Sequence, residues 1–422
     1  MKIWIFQTGE PIHSDEGNPR AMRAMNLANA LVDAGHSVTL WSSAFYHQEK
    51  RHRTHEFQKI RINDLLEIRL IPSQGYIRNI GLGRLLDHAV LALNLKKILA
   101  IEDVQPDVAF VGYPPIEFAY VAVKWLKSRG VPAMLDAKDQ WPLIFIEPFP
   151  KIIRPLARLV FSPYFYLGHK VMRDASAFCT MAHGFLDWMY EFSGRMVLPM
   201  DCVVPLSPMH QKLSEQSILE AKEWWKDRGV VNDGRKRFFF VGSLSQGFDF
   251  TPLIDAARLA LDAGENWQFV ICGDGAKTKQ ICSGFSGLPN VVFPGWVDRP
   301  QVVALAKISV VGLAPYRNTH DFTKSIPNKV IDYLSLGKPI ASSLEGEVKA
   351  LIERHDVGVV YSRTKNNELF DVLKKLCKDD SNVTRMACNA LKTYIEHFSG
   401  EKVYQGLVAK LVELSQNKAT VF

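Results

Sequence analysis

Pro327, Asn328 and Lys329 open a stretch that the sequence pattern predicts to be a helix continuing to Leu336 and ending at Gly337. Proline is tolerated in a first helical turn because its missing N–H would have no partner there. The first turn also presents backbone N–H groups and the positive end of the helix dipole, which can bind a phosphate or diphosphate. An ordinary capped helix in an α/β domain would give the same pattern, so both interpretations stay open.

A second group of polar side chains follows a predicted strand at residues 131–135. Ligands of open parallel sheets bind outside the carboxyl ends of the strands, so polar residues at this position are candidates for a site. Turn or N-cap aspartates would also fit the pattern. The residues are Asp136, Lys138, Asp139, Gln140 and Trp141.

The first predicted strand, residues 2–8, leads into a loop that begins with Gly9 and Glu10. The helix predicted next, over residues 20–34, carries Arg20 and Arg23 one turn apart, so both should point the same way. They would either meet an anionic ligand across a cleft or form a solvated basic face. The first turn lacks G-x-G-x-x-G and no acidic residue closes the second strand, which argues against nicotinamide-dinucleotide binding.

Composition describes an ordinary globular protein. The 422 residues suffice for two or three domains, with 47% apolar and 23% charged residues. The net charge of +7 is spread along the chain, whereas nucleic-acid binding would require a denser basic face. Six scattered cysteines without a C-x-x-C pair are typical of reduced thiols in a cytosolic protein and do not indicate zinc. No apolar run is long enough for a membrane-spanning helix.

Two basic segments have different predicted environments. Residues 50–55 (KRHRTH) are predicted to be a solvated surface loop. Residues 148–172 are apolar, aromatic and basic, with no acidic residue between Glu147 and Asp174. This second segment is either a buried helix whose long cationic side chains reach the surface or an interfacial helix on anionic lipid.

Strands alternate with helices along the chain, which predicts two successive α/β units. The units are expected at residues 1–200 and 201–399, with a final helix at 400–422 packing back on the first. Glycine-containing turns follow the first two strands of the second unit, at residues 242–247 and 273–275. A cleft between the units is the expected ligand site, because domain interfaces commonly bind ligands.

These elements together resemble glycosyltransferase family 4, which comprises retaining enzymes of the GT-B fold. The second half is similar in VGSLSQGFDF, FVICGDG, NVVFPGWV, ISVVGLAPY, SIPNKVIDYLSLGKPI and an E-G loop. In the first half, an R-x-x-R helix, PDVAFVGYPP and LDAKDQWP resemble bacterial O-antigen and capsule transferases. The resemblance covers nearly the whole chain and implies two doubly wound Rossmann-like domains that face a central cleft.

The resemblance implies a nucleotide-sugar donor bound mainly by the second domain, without metal or other cofactor. Asp332 stands where the family has a ribose-binding glutamate, and Lys324 replaces the first glutamate of that motif. Ser243 and Gln246 replace the usual arginine and lysine of the diphosphate loop, so the charge of the diphosphate must be met elsewhere. The implied donor-binding residues are Gly9, Arg20, Gly242, Ser243, Gln246, Gly273, Asp274, Lys324, Ser325, Pro327, Asn328, Lys329 and Asp332.

On the acceptor side, the resemblance implies a saccharide bound by the first domain, with a lipid-linked saccharide of surface-polysaccharide synthesis as the expected acceptor. Asp139 and Glu10 are the candidate catalytic residues, Asp136 and Trp141 are expected near the acceptor, and Glu345 and Glu347 are expected near the donor sugar. The expected location is the cytoplasm, with attachment to the inner membrane surface. A nucleotide-sugar epimerase or a non-catalytic nucleotide-sugar-binding protein are the alternatives.

Overall fold

A computed structural model describes residues 1–17, 19–79, 81–209, 213–362 and 367–417. The chain forms two compact units, Met1–Met209 with Gly400–Phe422, and His210–Ser399. Both are α/β, so the predicted fold class is confirmed. The first unit extends nine residues beyond the predicted boundary at 200 because Cys202–Val203 still forms a strand of its sheet.

The first unit is built on an eight-stranded sheet in the order β10-β9-β8-β7-β1-β2-β6-β5, in which only β5 runs antiparallel to its neighbour. A separate two-stranded ribbon pairs β3 with β4. The elements are β1 Lys2–Phe6, α1 Arg23–Asp33, β2 Ser37–Ser43, β3 Phe45–Tyr46, β4 Arg51–His52, β5 Gln58–Arg61, β6 Leu66–Ile71, α2 Leu82–Ala100, β7 Val108–Tyr113, α3 Ile116–Ser128, β8 Ala133–Ala137, α4 Leu143–Ile146, α5 Arg154–Val160, α6 Ser162–Asp174, β9 Ala177–Thr180, α7 His183–Ser193 and β10 Cys202–Val203.

Strand β1 is apolar on both sides because helices cover both faces of a parallel sheet. Trp4 and Phe6 belong to the core on one face, and Ile3 and Ile5 to the core on the other. The C-terminal helix Gly400–Gln416 contributes Tyr404 to the second of these cores. That helix therefore folds with the first unit although it ends the chain.

The second unit has a six-stranded parallel sheet in the order β13-β12-β11-β14-β15-β16. Strand order reverses between β11 and β14: the chain moves outward from β11 in one direction and from β14 in the other. The elements are α8 Glu215–Lys226, β11 Lys236–Val241, α9 Thr251–Asp262, β12 Trp267–Cys272, α10 Thr278–Gly284, β13 Val291–Gly295, α11 Arg299–Lys307, β14 Val311–Ala314, α12 His320–Thr323, α13 Asn328–Ser335, β15 Ile340–Ser342, α14 Glu347–His355, β16 Gly358–Val360, α15 Glu368–Cys377, α16 Asp380–Thr393 and a π-helical turn Tyr394–Phe398.

Within the described ranges, none of the helices combines the length and the apolar character that crossing a membrane requires.

Candidate functional site

The second unit has a topological switch point between β11 and β14, where ligands of doubly wound sheets bind. The pairing of the two strands ends at Phe239 and Gly312. Beyond it, the Tyr333 hydroxyl accepts a hydrogen bond from the Val241 N–H (3.2 Å) and donates one to the Leu313 carbonyl (3.1 Å). The tyrosine therefore links the two strands across the point where they part.

Lys329 extends from the first turn of α13 to the end of β11. Its ammonium group donates a hydrogen bond to the Val241 carbonyl and lies 4.2 Å from the centre of the Phe240 ring. A Cβ atom at Gly242 would collide with this ammonium group. The two residues that the sequence places in separate motifs are thus in direct contact at the switch point.

The two glycine turns are joined to each other. The Gly242 N–H donates to the Cys272 carbonyl (3.1 Å), and the Leu244 N–H donates to the Asp274 carbonyl (3.0 Å). A Cβ at Gly273 would collide with the Gly242 carbonyl, so this approach requires glycine. The Asp274 carboxylate accepts hydrogen bonds from Thr278 and Gly275, which lower its pKa. Asp274 therefore shapes the second turn.

Burial lowers the pKa of Lys329 from its ordinary value of 10.5 to about 7, although the Asp332 carboxylate partly offsets this effect. The Phe240 ring, the Val241 carbonyl and the Asp332 carboxylate act favourably on the Lys329 ammonium group, but its lowered pKa means that they do not fully offset the cost of desolvation. A phosphate or diphosphate would supply the missing negative charge. This arrangement makes the switch point a candidate anion-binding site.

Helix α13 begins at Asn328, as the sequence predicts, after an extended Pro327 and without a side-chain cap. Asn328 is exposed, Lys324 is half-buried in the preceding turn, and Ser325 is buried. Asp332 lies one turn further on, half-buried. The first turn of α13 has no side-chain cap, although the Val330 N–H donates to the Pro327 carbonyl at 2.9 Å, and this open N-terminus supports the anion site.

The loop after β15 lies close to α12. A Cβ at Gly346 would collide with the Thr323 carbonyl, which fixes the loop beside the turn that carries Lys324. The Glu345 carboxylate pairs with Lys349 at 3.0 Å, and Glu347 is the first residue of α14. The role of both glutamates toward a donor sugar stays a prediction.

A cavity of about 490 Å³ opens next to the first glycine turn. Gln246, Phe248 and Thr251 line one part of it, and Lys277 and Arg317 bring two cationic side chains. The Phe248 ring centre lies 5.3 Å from the Lys329 ammonium group, so the cavity adjoins the switch point. Ser243 is exposed on the turn that precedes it.

In the first unit, a buried charge network joins the carboxyl ends of β1 and β8. Lys138 pairs with Glu10 and lies 3.6 Å from Asp136, which lies 3.3 Å from Arg23. The second Glu10 oxygen accepts the Ala24 N–H at 2.9 Å, at the start of α1. Glu10 and Asp136 therefore hold the loops in place.

This network bears on two predictions. Asp136 is fully buried at the end of β8, between Arg23 and Lys138, and its place near an acceptor stays a prediction. Helix α1 begins at Arg23, three residues later than predicted, so Arg20 precedes it; Arg20 is exposed and Arg23 is buried. The two arginines do not share a face, because Arg23 turns inward to Asp136.

Two further predicted residues, Asp139 and Trp141, follow β8, and a third, Gly9, follows β1. Asp139 is exposed, so its carboxylate is available to solvent at the carboxyl edge of the sheet. Trp141 is buried, and its carbonyl accepts a hydrogen bond from the Tyr113 hydroxyl at 2.7 Å. Gly9 is exposed and has a φ of 75°, which a glycine adopts without strain. Asp139 remains the candidate catalytic carboxylate.

The basic loop at residues 50–55 is not simply solvated. The guanidinium group of Arg53 is buried against Asp15 at 2.6 Å, and Lys50 is half-buried with its ammonium group 3.0 Å from His47 Nδ1. The sequence pattern does not reveal these partners, because they come from separate loops. Lys50 and His47 belong to a cationic group that sequence reasoning missed.

Among the residues that the structure describes, no three His, Cys, Asp or Glu side chains converge as metal ligands would.

The fold is that of the GT-B glycosyltransferases. Residues 235–379, which carry the switch point, match the family described as Glycosyl transferases group 1. These two findings define the second unit as a group 1 glycosyltransferase domain. The relation between the two units, and therefore the predicted cleft, stays a prediction.

The chain is 25% identical over 132 residues to TuaH of Bacillus subtilis (strain 168), whose name assigns it to teichuronic acid biosynthesis as a glycosyltransferase. That similarity covers 31% of this chain and about a third (32%) of TuaH. Among solved structures, sucrose-phosphate synthase from Thermosynechococcus elongatus has a TM-score of 0.69 at 12% identity, covering 98% of both chains. HepE of Anabaena, solved with UDP and glucose, has a TM-score of 0.64 at 15% identity over 98% of this chain and 100% of that one.

Proposed function

We propose that this protein transfers a sugar from a nucleotide-sugar donor to a saccharide acceptor, with retention of anomeric configuration as in glycosyltransferase family 4. The observation that carries the proposal is the contact of Lys329 with Gly242 at the switch point of a group 1 glycosyltransferase domain. Switch points bind nucleotides in doubly wound sheets, and the buried cation meets the charge of a diphosphate. HepE, a structural neighbour, was solved with UDP-glucose.

In the proposed reaction, the bond between the anomeric carbon and the phosphate oxygen breaks while the acceptor oxygen bonds to that carbon on the same face. The departing phosphate oxygen takes the proton of the acceptor hydroxyl, so atoms and charge balance without a cofactor. Negative charge develops on the leaving diphosphate while the carbon–oxygen bond breaks ahead of proton transfer, and Lys329 and the first turn of α13 stabilise this charge. Asp139 orients the acceptor hydroxyl, and Asp332 accepts hydrogen bonds from the ribose.

The proposed acceptor is a lipid-linked saccharide of surface-polysaccharide synthesis, and the protein acts on the cytoplasmic membrane surface. Helix α5 and the residues before it support this, because apolar side chains point to solvent. Ile152, Leu156, Leu159 and Val160 are 62–89% exposed. Residues 148–172 include helix α5 and most of helix α6. Because the apolar face of α5 is exposed, α5 does not fit the buried helix that was one of the two predicted alternatives.

Basic side chains beside the exposed apolar face of α5 indicate that this face fits an anionic membrane surface. Lys151 and Arg158 are exposed beside the apolar residues, and the nearest acidic residues in the sequence are Glu147 and Asp174. Each basic side chain near an anionic bilayer contributes about 1 kcal/mol to binding. An apolar face with basic residues lies in the interface of such a bilayer.

Donor binding and transfer test the first part of the proposal. Thermal shifts are measured with UDP-, GDP- and CMP-linked sugars without metal; a donor at a hundred times its Kd should stabilise the protein by about 2.7 kcal/mol. Transfer is then followed with the radiolabelled donor that gives a shift. A shift without transfer or hydrolysis would identify a non-catalytic binding protein, and no shift with any donor would overturn the assignment.

Vesicle binding tests the membrane surface. The protein should sediment with phosphatidylcholine vesicles that contain phosphatidylglycerol and much less with phosphatidylcholine alone. The variant Leu156→Ser/Leu159→Ser should lose this binding, whereas Leu219→Ser/Leu391→Ser, at exposed positions of the second unit, should keep it. Equal binding by both variants would exclude α5 as the contact.

A further inference from the structure

Four side chains, from two loops and the first turn of α2 in the first unit, form a cationic cluster. The His47 Nδ1 atom accepts hydrogen bonds from the Tyr76 hydroxyl and from the Lys50 ammonium group, which lies 3.0 Å away. Lys50 lies 4.6 Å from the centre of the Tyr76 ring, and the Arg84 guanidinium lies 5.8 Å from the same ring. These four residues, His47, Lys50, Tyr76 and Arg84, are all half-buried.

The cluster lies at the carboxyl edge of the first sheet. His47 and Lys50 follow β2 and its neighbouring short strand β3, and Tyr76 follows β6. Arg84 is in the first turn of α2 and lies 5.1 Å from the ring centre of Trp141, which follows β8. Ligands of parallel sheets bind at this edge, so the cluster is positioned where a substrate can reach it.

The four residues of the cluster include no carboxylate. Within the described residues, neither Lys50 nor Arg84 forms a salt bridge, and the Arg84 Nε atom is buried without a hydrogen-bond partner. Two carboxylates lie nearby: Asp87, which accepts the Gly75 N–H at 2.6 Å, and Glu49, which pairs with Arg51. Burial and, to a smaller extent, the Asp87 carboxylate raise the pKa of Tyr76. Two cations held close together without a counter-ion repel each other unless an anion lies between them.

The N-terminus of helix α2 adds to the positive field of the cluster, and the pKa of His47 responds to that field. Helix α2 has 19 residues, its first turn contains no acidic residue, and no side chain caps it. Its positive end lies beside Tyr76, since a Cβ at Gly83 would be 3.9 Å from the Tyr76 Cβ. Burial and the charges of Lys50 and Arg84 lower the pKa of His47 to about 4, so this imidazole is neutral at pH 7.

We propose that His47, Lys50, Tyr76 and Arg84 bind a phosphate-class anion, namely the phosphate or diphosphate group of the acceptor. Lys50 and Arg84 supply charge-assisted hydrogen bonds, and the first turn of α2 supplies backbone N–H groups. The assignment of this anion to the acceptor rests on the proposed transferase function, whereas anion binding itself does not. The same chemistry is found in a soluble sugar phosphate and in a lipid-linked diphosphate.

The experiment titrates inorganic pyrophosphate into the full-length protein that is already saturated with UDP, so that the second unit's diphosphate site is filled. Binding is read from the ring-proton resonance of His47 in NMR spectra, assigned with His47→Gln. Pyrophosphate should shift this resonance and move its titration midpoint to higher pH, because an anion stabilises imidazolium. Lys50→Met/Arg84→Met should weaken binding by about a hundredfold, a factor of ten for each cation.

The control is Lys96→Met/Lys97→Met, which removes the same charge from two exposed positions of α2 and should bind pyrophosphate as the wild type does. Melting temperatures of both double variants test whether they are folded. Replacing Arg84 by lysine instead of methionine should recover part of the lost pyrophosphate affinity. An unshifted His47 resonance, or equal loss in the control, would overturn the site. If none of UDP, GDP and CMP binds but the His47 resonance still shifts, the anion site stands and the transferase proposal fails.

Two ligands distinguish the sources of the anion. Tighter binding of farnesyl diphosphate in micelles than of glucose 1-phosphate would support the site with a lipid-linked acceptor. The reverse order would support the site with a soluble sugar phosphate, and would remove the reason for placing the reaction at a membrane.

Discussion

The ammonium group of Lys329 occupies the space that a side chain at position 242 would need. Gly242 begins the first glycine turn, directly after β11, and Lys329 is the second residue of α13, which follows β14 in the chain. The lysine therefore crosses the switch point and reaches the neighbouring strand end. Replacement of either residue should disturb the other, and this relationship leads to the first two predictions.

Gly242→Ala should displace the Lys329 ammonium group, because the new Cβ atom takes its place. The lysine side chain is flexible, so the cost in free energy of unfolding, about 1–3 kcal/mol, comes mainly from the positive φ at position 242. Donor binding should be lost as well. Gly264→Ala is the matched control, since Gly264 has a φ of 65° and nothing within 4 Å of its Cβ position. It should cost about 1–2 kcal/mol and leave donor affinity unchanged. Wild-type donor affinity in Gly242→Ala, measured by isothermal titration, would contradict a role of this contact in binding.

Lys329 should make donor binding depend on pH. Its pKa is about 7 in the free protein because of burial, and a bound diphosphate raises it, so donor binding takes up a proton above pH 7. Affinity should then fall by as much as about tenfold for each pH unit above 7. Lys329→Met should bind weakly at every pH. Lys338→Met is the control, because Lys338 is another partly buried lysine, donating to the Ser309 carbonyl at 2.9 Å, and should keep the wild-type profile.

The same lysine contributes to the pH dependence of stability with a defined sign. Between pH 7 and 10.5 the unfolded chain binds the proton at Lys329 and the folded chain does not. The free energy of unfolding contributed by this residue therefore rises with pH across that range. Denaturation of Lys329→Met at several pH values should lack this rise, and an unchanged rise would show that Lys329 has its ordinary pKa.

Local signals in the sequence were sufficient for the start of α13 at Asn328 and for its end before Gly337, which has a φ of 61°. They could not show the pairing of Arg23 with Asp136, because the two residues are far apart in the chain and each has an ordinary local context. The cationic cluster at His47 was missed for the same reason, since its members come from two loops and the first turn of α2. The glycine turns at residues 242–247 and 273–275 could be predicted from local turn patterns. The burial of Lys329 could be seen only in the folded structure.

Tyr333→Phe should reduce stability without changing packing volume. The Tyr333 hydroxyl bridges β11 and β14, and its loss leaves the buried Leu313 carbonyl without this donor and the Val241 N–H without its acceptor. The expected cost is about 1–3 kcal/mol in urea denaturation. Tyr166→Phe, at a tyrosine that is 66% exposed, should change stability by less than about 0.5 kcal/mol. A cost as small as that of the control would show that water satisfies both backbone groups.

Asp332→Ala should weaken donor binding by about 1–3 kcal/mol if its carboxylate accepts the ribose hydroxyls. Asp262→Ala, at the exposed end of α9, is the control in the same unit and should leave the affinity unchanged. Isothermal titration with the donor that gives a thermal shift measures both. Unchanged affinity in Asp332→Ala would show that the ribose hydroxyls do not bind to this carboxylate. The contact at Lys329 is tested separately, by Gly242→Ala and Lys329→Met.

Asp139→Asn should separate catalysis from donor binding. Asp139 is exposed at the carboxyl edge of the first sheet, whereas Glu10 and Asp136 are buried, so Asp139 is the most solvent-accessible of these three carboxylates. A carboxylate that orients the acceptor hydroxyl contributes about 100-fold or more to the rate. The variant should therefore lower kcat by that factor and keep the thermal shift with donor. Asp64→Asn, exposed and paired only with Arg61 among the described residues, should transfer sugar at the wild-type rate. A normal kcat in Asp139→Asn would mean that positioning and leaving-group stabilisation carry the reaction without this carboxylate.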